Sequence, residues 1–149
     1  MKIVETQVEI EAPARDVWEV LIDFPSYGRE GWNGYIRSIE AALVTGAPVV
    51  ADTYTEQMGQ RPLTARLSSV TFPELSWDAK LPVPGLIHAR HYFRVEAISD
   101  RRSRLVQGEW VSGLLTATVF HLVIKSREGF ETLNQALKHR TEARISPPQ

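Results

Sequence analysis

His91 and Glu109 are the two side chains of this sequence best suited to move a proton or to orient a polar group of a ligand. Period-two alternation places His91, Phe93 and Val95 on one face of an extended segment, and Leu105, Gln107, Glu109 and Val111 on one face of the next. Pairing of those two strands would make the imidazole and the carboxyl neighbours. A buried carboxyl favours its protonated form and can act as acid or base when a substrate proton lies within hydrogen-bond reach. The same carboxyl is equally at home at a solvated strand edge or beside an arginine, and an inward histidine can simply donate one hydrogen bond to a ligand oxygen.

Around this pair the sequence supplies large apolar surface. Trp32, Tyr54, Trp77, Phe93, Trp110 and Phe120 are of the type that fills cores, and also of the type that lines a pocket and orients what enters it. Leu75, Trp77, Ala79 and Leu81 share one strand face, so Trp77 and Phe93 are the leading cavity aromatics. The expected ligand-binding set is Trp32, Tyr54, Trp77, His91, Phe93, Glu109 and Phe120, with no catalytic set assembled.

Other chemistries find little support. His88 and His91 stand three apart, which on a strand puts them on opposite faces, so no metal site is expected. There is no nucleophile elbow, phosphate-binding glycine loop or dinucleotide fingerprint, and no cofactor is expected. The absence of cysteine removes thiol catalysis and thiolate metal sites. Seventeen Lys and Arg against 18 Asp and Glu give a formal charge of −1 without long single-sign runs, which argues against a nucleic-acid partner. Arg101, Arg102 and Arg104 beside Asp100 read as a solvated hairpin tip. No segment has the length of a membrane span and no signal peptide is read, so a cytoplasmic protein is expected.

The elements that must position these residues follow from pattern. The 149 residues suit one domain. Val4, Thr6, Val8 and Ile10 alternate with Glu5, Gln7, Glu9 and Glu11, a half-buried strand. Pro13 at a first helical turn, Asp16 near the helix N-terminus and Val17, Val20, Leu21 and Phe24 at helical spacing predict a short helix that Pro25 ends. Ser26 to Gly34 suits a second short helix or a turn. Six strands follow, approximately 35–44, 52–58, 63–72, 75–81, 87–98 and 104–111, with short connections that favour antiparallel neighbours. Leu115, Val119, Leu122, Phe130, Leu133 and Leu137 then return to one helical face, a long terminal helix with Gly129 as a point of kinking or division. The expected domain is 1–144, with 145–149 a flexible tail containing Pro147-Pro148.

A resemblance rests on segments in a fixed order. These are Ile10-Glu11-Ala12-Pro13 with Val17-Trp18 and Asp23-Phe24, then Trp32-Asn33, then His91 to Glu96. Ser103 to Glu109 with Ser112-Gly113-Leu114-Leu115, and Gly129-Phe130-Glu131 before Asn134 to Lys138, complete it. With these the chain resembles the START-like, or SRPBCC, superfamily, near its polyketide cyclase/dehydrase-like members. The resemblance implies an α+β helix-grip fold: a curved seven-stranded antiparallel sheet around a long C-terminal helix, with two short helices after the first strand. It also implies an inward Glu109 and a cavity for a hydrophobic small molecule of lipid, polyketide or isoprenoid type. Members include carriers, cyclases and regulators of other proteins, so a polyketide cyclase/aromatase-like enzyme and a protein-interaction module stand beside the binder. The apolar Pro82–Leu86 stretch reads as a lid over that cavity or as a contact surface.

Overall fold

Residues 1–145 are described by the computed structural model; residues 146–149, which hold most of the expected tail, lie outside the described residues. The alternation of the first segment forms β1 (Lys2–Ile10), and its buried Val4, Thr6 and Ile10 share the interior face. Two helices follow, α1 (Ala14–Ile22) and α2 (Phe24–Glu30). Pro13 supplies the extended residue that leads into α1, and Asp16 lies in its first turn. Gly31 ends α2 in the left-handed conformation at φ 61°, a region glycine enters without penalty. The Tyr27 hydroxyl donates to the Leu21 carbonyl at 2.6 Å, which ties the end of α1 to α2.

Six strands then run as a meander: β2 (Ile36–Glu40), β3 (Pro48–Thr55), β4 (Gly59–Thr71), β5 (Glu74–Lys80), β6 (His88–Ser99) and β7 (Arg102–Ser112). All pairings are antiparallel and the strand order is β1-β7-β6-β5-β4-β3-β2. The helices α1 and α2 therefore carry the chain from one sheet edge to the other. Register shifts in the β2–β3, β4–β5 and β6–β7 pairs bend strands locally and help the sheet curl. The second strand stops at Glu40 instead of reaching Val44, because the chain turns there: Gly46 at φ 91° donates to the Leu67 carbonyl at 2.7 Å, and Leu67 returns a bond to Ala47.

The terminal helical stretch is divided into α3 (Thr116–Lys125) and α4 (Arg127–Ile145). The break falls at Ser126, and the helix runs on through Gly129. Ser126 donates its N–H to the Leu122 and Val123 carbonyls and its hydroxyl back to Leu122 at 3.1 Å, a local bonding pattern that competes with regular helix. The helix α4 lies in the grip of the sheet, burying Phe130, Leu133, Asn134, Leu137 and Thr141. Of α3 only Val123 is fully buried.

Gly129 has a packing role that explains why helix propensity is sacrificed there. A Cβ on it would run into Cδ1 and Cε1 of the buried Tyr35 ring, far inside van der Waals contact. Gly129→Ala would gain about 1 kcal/mol of helix propensity but would force the ring aside, an overpacking cost of about 1–3 kcal/mol. We predict a net loss of stability in urea denaturation; an alanine variant as stable as the parent would refute the packing account.

On the outer sheet face, Asp78 accepts from Arg90 Nε at 2.6 Å, from Arg90 Nη2 at 3.0 Å and pairs with His88 Nε2 at 2.7 Å. Burial favours its protonated form, but hydrogen bonds from Arg90, His88 and Ser68 and the Arg90 charge outweigh this and hold the carboxyl at about 2. A depressed carboxyl contributes stability that is complete above its unfolded value near 4 and lost as pH falls toward 2. After discounting for solvent screening of a partly exposed cluster, Asp78→Asn should cost about 1 kcal/mol at pH 7, with the gap to the parent closing between pH 4 and 2. Chemical denaturation across that range tests it, and a pH-independent gap would contradict the assignment.

Candidate functional site

The concave sheet face is not filled by α4 alone. Where α3 leaves the sheet, a cavity of about 330 Å³ lies between them. Its walls come from strands β2 to β7, among them Leu63, Trp77, Ala89, His91 and Glu109, with Tyr35 just before β2, and its roof from Val119, Leu122 and Val123 of α3. Three grooves are larger but lie elsewhere: one outside β3 to β5 and one along β1 and α4, both lined largely by charged, polar and small side chains, and an apolar one where Phe24 and Pro25 meet Ile39 and Val50. The cavity under α3 is where the interior aromatics converge.

His91 and Glu109 are directly opposed in the β6–β7 register, as the shared alternation requires. The imidazole Nδ1 lies 3.2 Å from Glu109 Oε1. Around the ring, Trp77 stacks at a centroid distance of 5.2 Å with a 10° interplanar angle, Phe93 tilts at 4.9 Å and Phe130 meets it edge-on at 4.8 Å. The histidine is 6% exposed and the Glu109 side chain 22%, so the imidazole is set in the wall and the carboxyl faces the space.

The other imidazole nitrogen is held by a chain of buried polar groups. Nε2 lies 2.9 Å from Gln107 Oε1. Gln107 Nε2 donates to the Phe130 carbonyl at 3.0 Å and to Asn134 Oδ1 at 2.7 Å. Asn134 Nδ2 donates to Thr6 Oγ1 at 2.8 Å, and Thr6 donates in turn to the Gln107 carbonyl at 3.0 Å. Gln107, Asn134 and Thr6 are all buried. A backbone carbonyl can only accept, so Phe130 fixes which end of the Gln107 amide faces it; the Gln107 oxygen is then presented to His91, and Nε2–H must donate.

Behind Glu109, the buried Tyr35 packs edge-on to Phe130 at 5.8 Å. Burial pushes its phenol above the ordinary tyrosine range and the Glu109 charge adds to this, while the neighbouring Ser126 hydroxyl and Arg61 oppose it. Tyr35 is thus a neutral donor in the cavity wall. Arg61 stands in the same lining, exposed.

Of the residues singled out by sequence, the structure brings Trp77, His91 and Glu109 together on the cavity, with Phe93 packed behind Trp77 and His91. Three stand apart. Trp32 packs on Tyr27, donates to Ser26 Oγ at 3.0 Å and lies beneath Arg140. Tyr54 lies under the Arg37 guanidinium at 3.8 Å, and its strand neighbour Thr53 is the one that lines the cavity. Phe120 lies beneath Lys2 Nζ on the side of α3 toward β1. Trp110 packs with His88 and Arg90 on the outer face. The Pro82–Leu86 stretch is docked on the β7–α3 junction, where Leu114 and Leu115 donate to the Gly85 and Leu86 carbonyls at 2.9 and 3.0 Å. Only the following Ile87 reaches the lining.

Sequence reading missed Gln107, Asn134, Thr6 and Tyr35 as site residues. Gln107 carried a signal, a polar residue between Leu105 and Val111 on an inward strand face, and Gly129 in a helix marked the approach of Tyr35. Among the described residues no three His, Cys, Asp or Glu side chains gather to hold a metal ion, and no helix is long and apolar enough to cross a membrane.

A sheet curled about one long helix, with an aromatic cavity under a shorter helix, defines the START-like helix-grip class. The chain belongs to the family described as polyketide cyclase / dehydrase and lipid transport, whose model matches residues 1–140. Solved structures with the same fold include the Zhui aromatase/cyclase from Streptomyces sp. R1128, at 16% identity, TM-score 0.73 and coverage of 98% of this chain and 96% of that one. A START superfamily protein from Mycobacterium smegmatis matches at 17% identity and TM-score 0.68, covering 94% and 97%. Truncated norcoclaurine synthase from Thalictrum flavum matches at 10% identity and TM-score 0.68, covering 99% and 95%. No curated protein is matched by the sequence.

The polar chain makes a stability prediction. Gln107→Leu would leave Asn134 Oδ1 and the His91 Nε2–H without partners, each a cost of about 1–3 kcal/mol when buried. Urea denaturation should therefore show a loss of at least about 2 kcal/mol despite the more apolar side chain. A neutral or stabilising effect would mean that these groups are satisfied in some other way.

Proposed function

We propose that this protein binds a hydrophobic small molecule of lipid, polyketide or isoprenoid type in the cavity beneath α3. The observation that carries the reading is an aromatic and aliphatic cavity inside the helix grip with one carboxyl–imidazole pair in its wall. Family membership supports it. Ligand cavities run from roughly 300 to 1,000 Å³, so a space of about 330 Å³ suits a compact molecule, such as a short chain or two fused rings, better than a two-chain lipid. The stacked Trp77–His91 pair forms part of the wall against which such a body would lie, and Glu109 meets its polar end. Phe93 supports both rings from behind, while Trp32, Tyr54 and Phe120 take no part in this reading.

The test is mass spectrometry of small molecules released from the purified protein, together with titration of an environment-sensitive apolar dye. A reproducible hydrophobic compound and saturable dye binding are expected, and Ala89→Phe, which fills the space, should reduce dye affinity at least tenfold. Undiminished binding in the filled variant would place the ligand elsewhere and reject the reading.

A second reading, a cyclase- or aromatase-like enzyme in the same cavity, is favoured by the His91–Glu109 pair itself, because a held proton beside an apolar substrate is the apparatus of general acid–base catalysis. Glu109→Gln separates the two: a carrier has no turnover to lose, whereas an enzyme keeps affinity and loses rate.

A further inference from the structure

The direction of the buried hydrogen bonds specifies what the cavity asks of its ligand. Because Nε2–H is committed to Gln107, the imidazole Nδ1 and Glu109 Oε1 can form a hydrogen bond only if one proton lies between them. Either His91 is an imidazolium donating to a carboxylate, or Glu109 is an acid donating to a neutral imidazole. Both arrangements have the same outward consequence. Glu109 Oε1 is occupied, and Oε2, which makes no hydrogen bond among the described residues, carries no proton and can only accept. Among the described residues Glu109 is the only acidic side chain in the cavity lining; Tyr35, Thr53, Arg61, His91 and Ser126 are its other polar members, and the rest of the wall is apolar.

We infer that the cavity selects a neutral apolar molecule bearing a hydroxyl group, an alcohol or phenol, whose O–H donates to Glu109 Oε2. This rests on the cavity reading above and adds the polar chemistry of the ligand. Thr6, Asn134 and Gln107 act as positioning residues: they touch no ligand, and they fix the imidazole so that Glu109 stays turned with one oxygen inward and one toward the cavity. A ligand carboxylate would set acceptor oxygens against the acceptor Oε2 in either arrangement, and would meet a like charge where Glu109 is ionised. A ligand with only an acceptor oxygen would leave Oε2 desolvated and unpaired.

Three two-ring probes of matched skeleton test this: naphthalene, 2-naphthol and 2-methoxynaphthalene, measured by equilibrium dialysis on the intact protein. On apolar transfer alone the methyl ether should bind better than the naphthol. Donation to Glu109 reverses that order, with 2-naphthol roughly tenfold tighter than the ether, since a hydrogen bond to a charged or strongly polarised acceptor is worth about that factor. Glu109→Leu, a change at a partly exposed strand position, should restore the apolar order while naphthalene affinity holds or improves. If naphthalene binds but the ether equals or exceeds the naphthol in the parent protein, the hydroxyl assignment is wrong and the cavity reading stands. If none of the three binds, the cavity reading fails and takes the assignment with it. The ¹⁵N spectrum of His91 provides an independent check, because a neutral ring protonated on Nδ1 alone would overturn the polarity from which the assignment is drawn. A protonated Nε2 supports it.

Discussion

One buried amide holds the site together. Gln107 sits fully enclosed on β7 and must satisfy both ends of its side chain, because an unpaired polar group in an apolar interior costs more than the hydrogen bond it replaces. It does so by donating to α4, through Phe130 and Asn134, and accepting from β6, through His91. The same residue's backbone carbonyl receives Thr6 of β1. Three strands and the long helix are therefore fixed in mutual register by one side chain and its own peptide. Apolar packing alone would hold α4 against the sheet, but it would tolerate small slides. A two-ended amide between a backbone carbonyl and an imidazole tolerates very little.

From that anchor the cavity follows. The N-terminal part of α4 is drawn onto the sheet where Gly129 lets Tyr35 approach and Phe130 reaches under His91. The helical stretch is interrupted at Ser126, and α3 covers the remaining concave surface loosely, with Val123 its one fully buried residue. The space left beneath it is the part of the interior that neither helix fills. Placing the carboxyl of Glu109 there, with its imidazole neighbour already braced from behind, costs little, because the partly exposed side chain keeps solvent contact.

Much of this was legible in the residues. Period-two alternation gave the inward faces of β1, β5, β6 and β7, and the opposition of His91 and Glu109 needed only that adjacent strands pair. The same alternation separated His88 from His91, and the structure has them on opposite sheet faces, one with Asp78 and one with Gln107. Aromatic type without a strand parity was a poorer guide. Trp32, Tyr54 and Phe120 lie on a loop, on an outward strand position and on the β1 side of a helix, and no local pattern distinguishes those settings from the lining. The break at Ser126 was also opaque, because a serine in a helix announces nothing until its neighbours decide whether the hydroxyl bonds back to its own turn. Gln107 and Asn134 pair across 27 positions, a separation that composition and periodicity do not encode.

The polarity of the site then constrains its chemistry more tightly than its shape does. A cavity of this size accepts many apolar bodies with similar free energy, because burial is non-directional and scales with area. Discrimination must come from the few groups that cannot be left unpaired, and on the reading proposed above the decisive one is an oxygen of Glu109. Its partner His91 cannot rotate to relieve it without abandoning Gln107, and Gln107 cannot turn without setting its oxygen against the carbonyl of Phe130. The requirement passes from the backbone of α4 through two side chains to the cavity wall. On the proposed reading, a molecule bound there, whether carried or transformed, would meet a carboxyl group whose orientation is settled by the folding of the helix on the sheet.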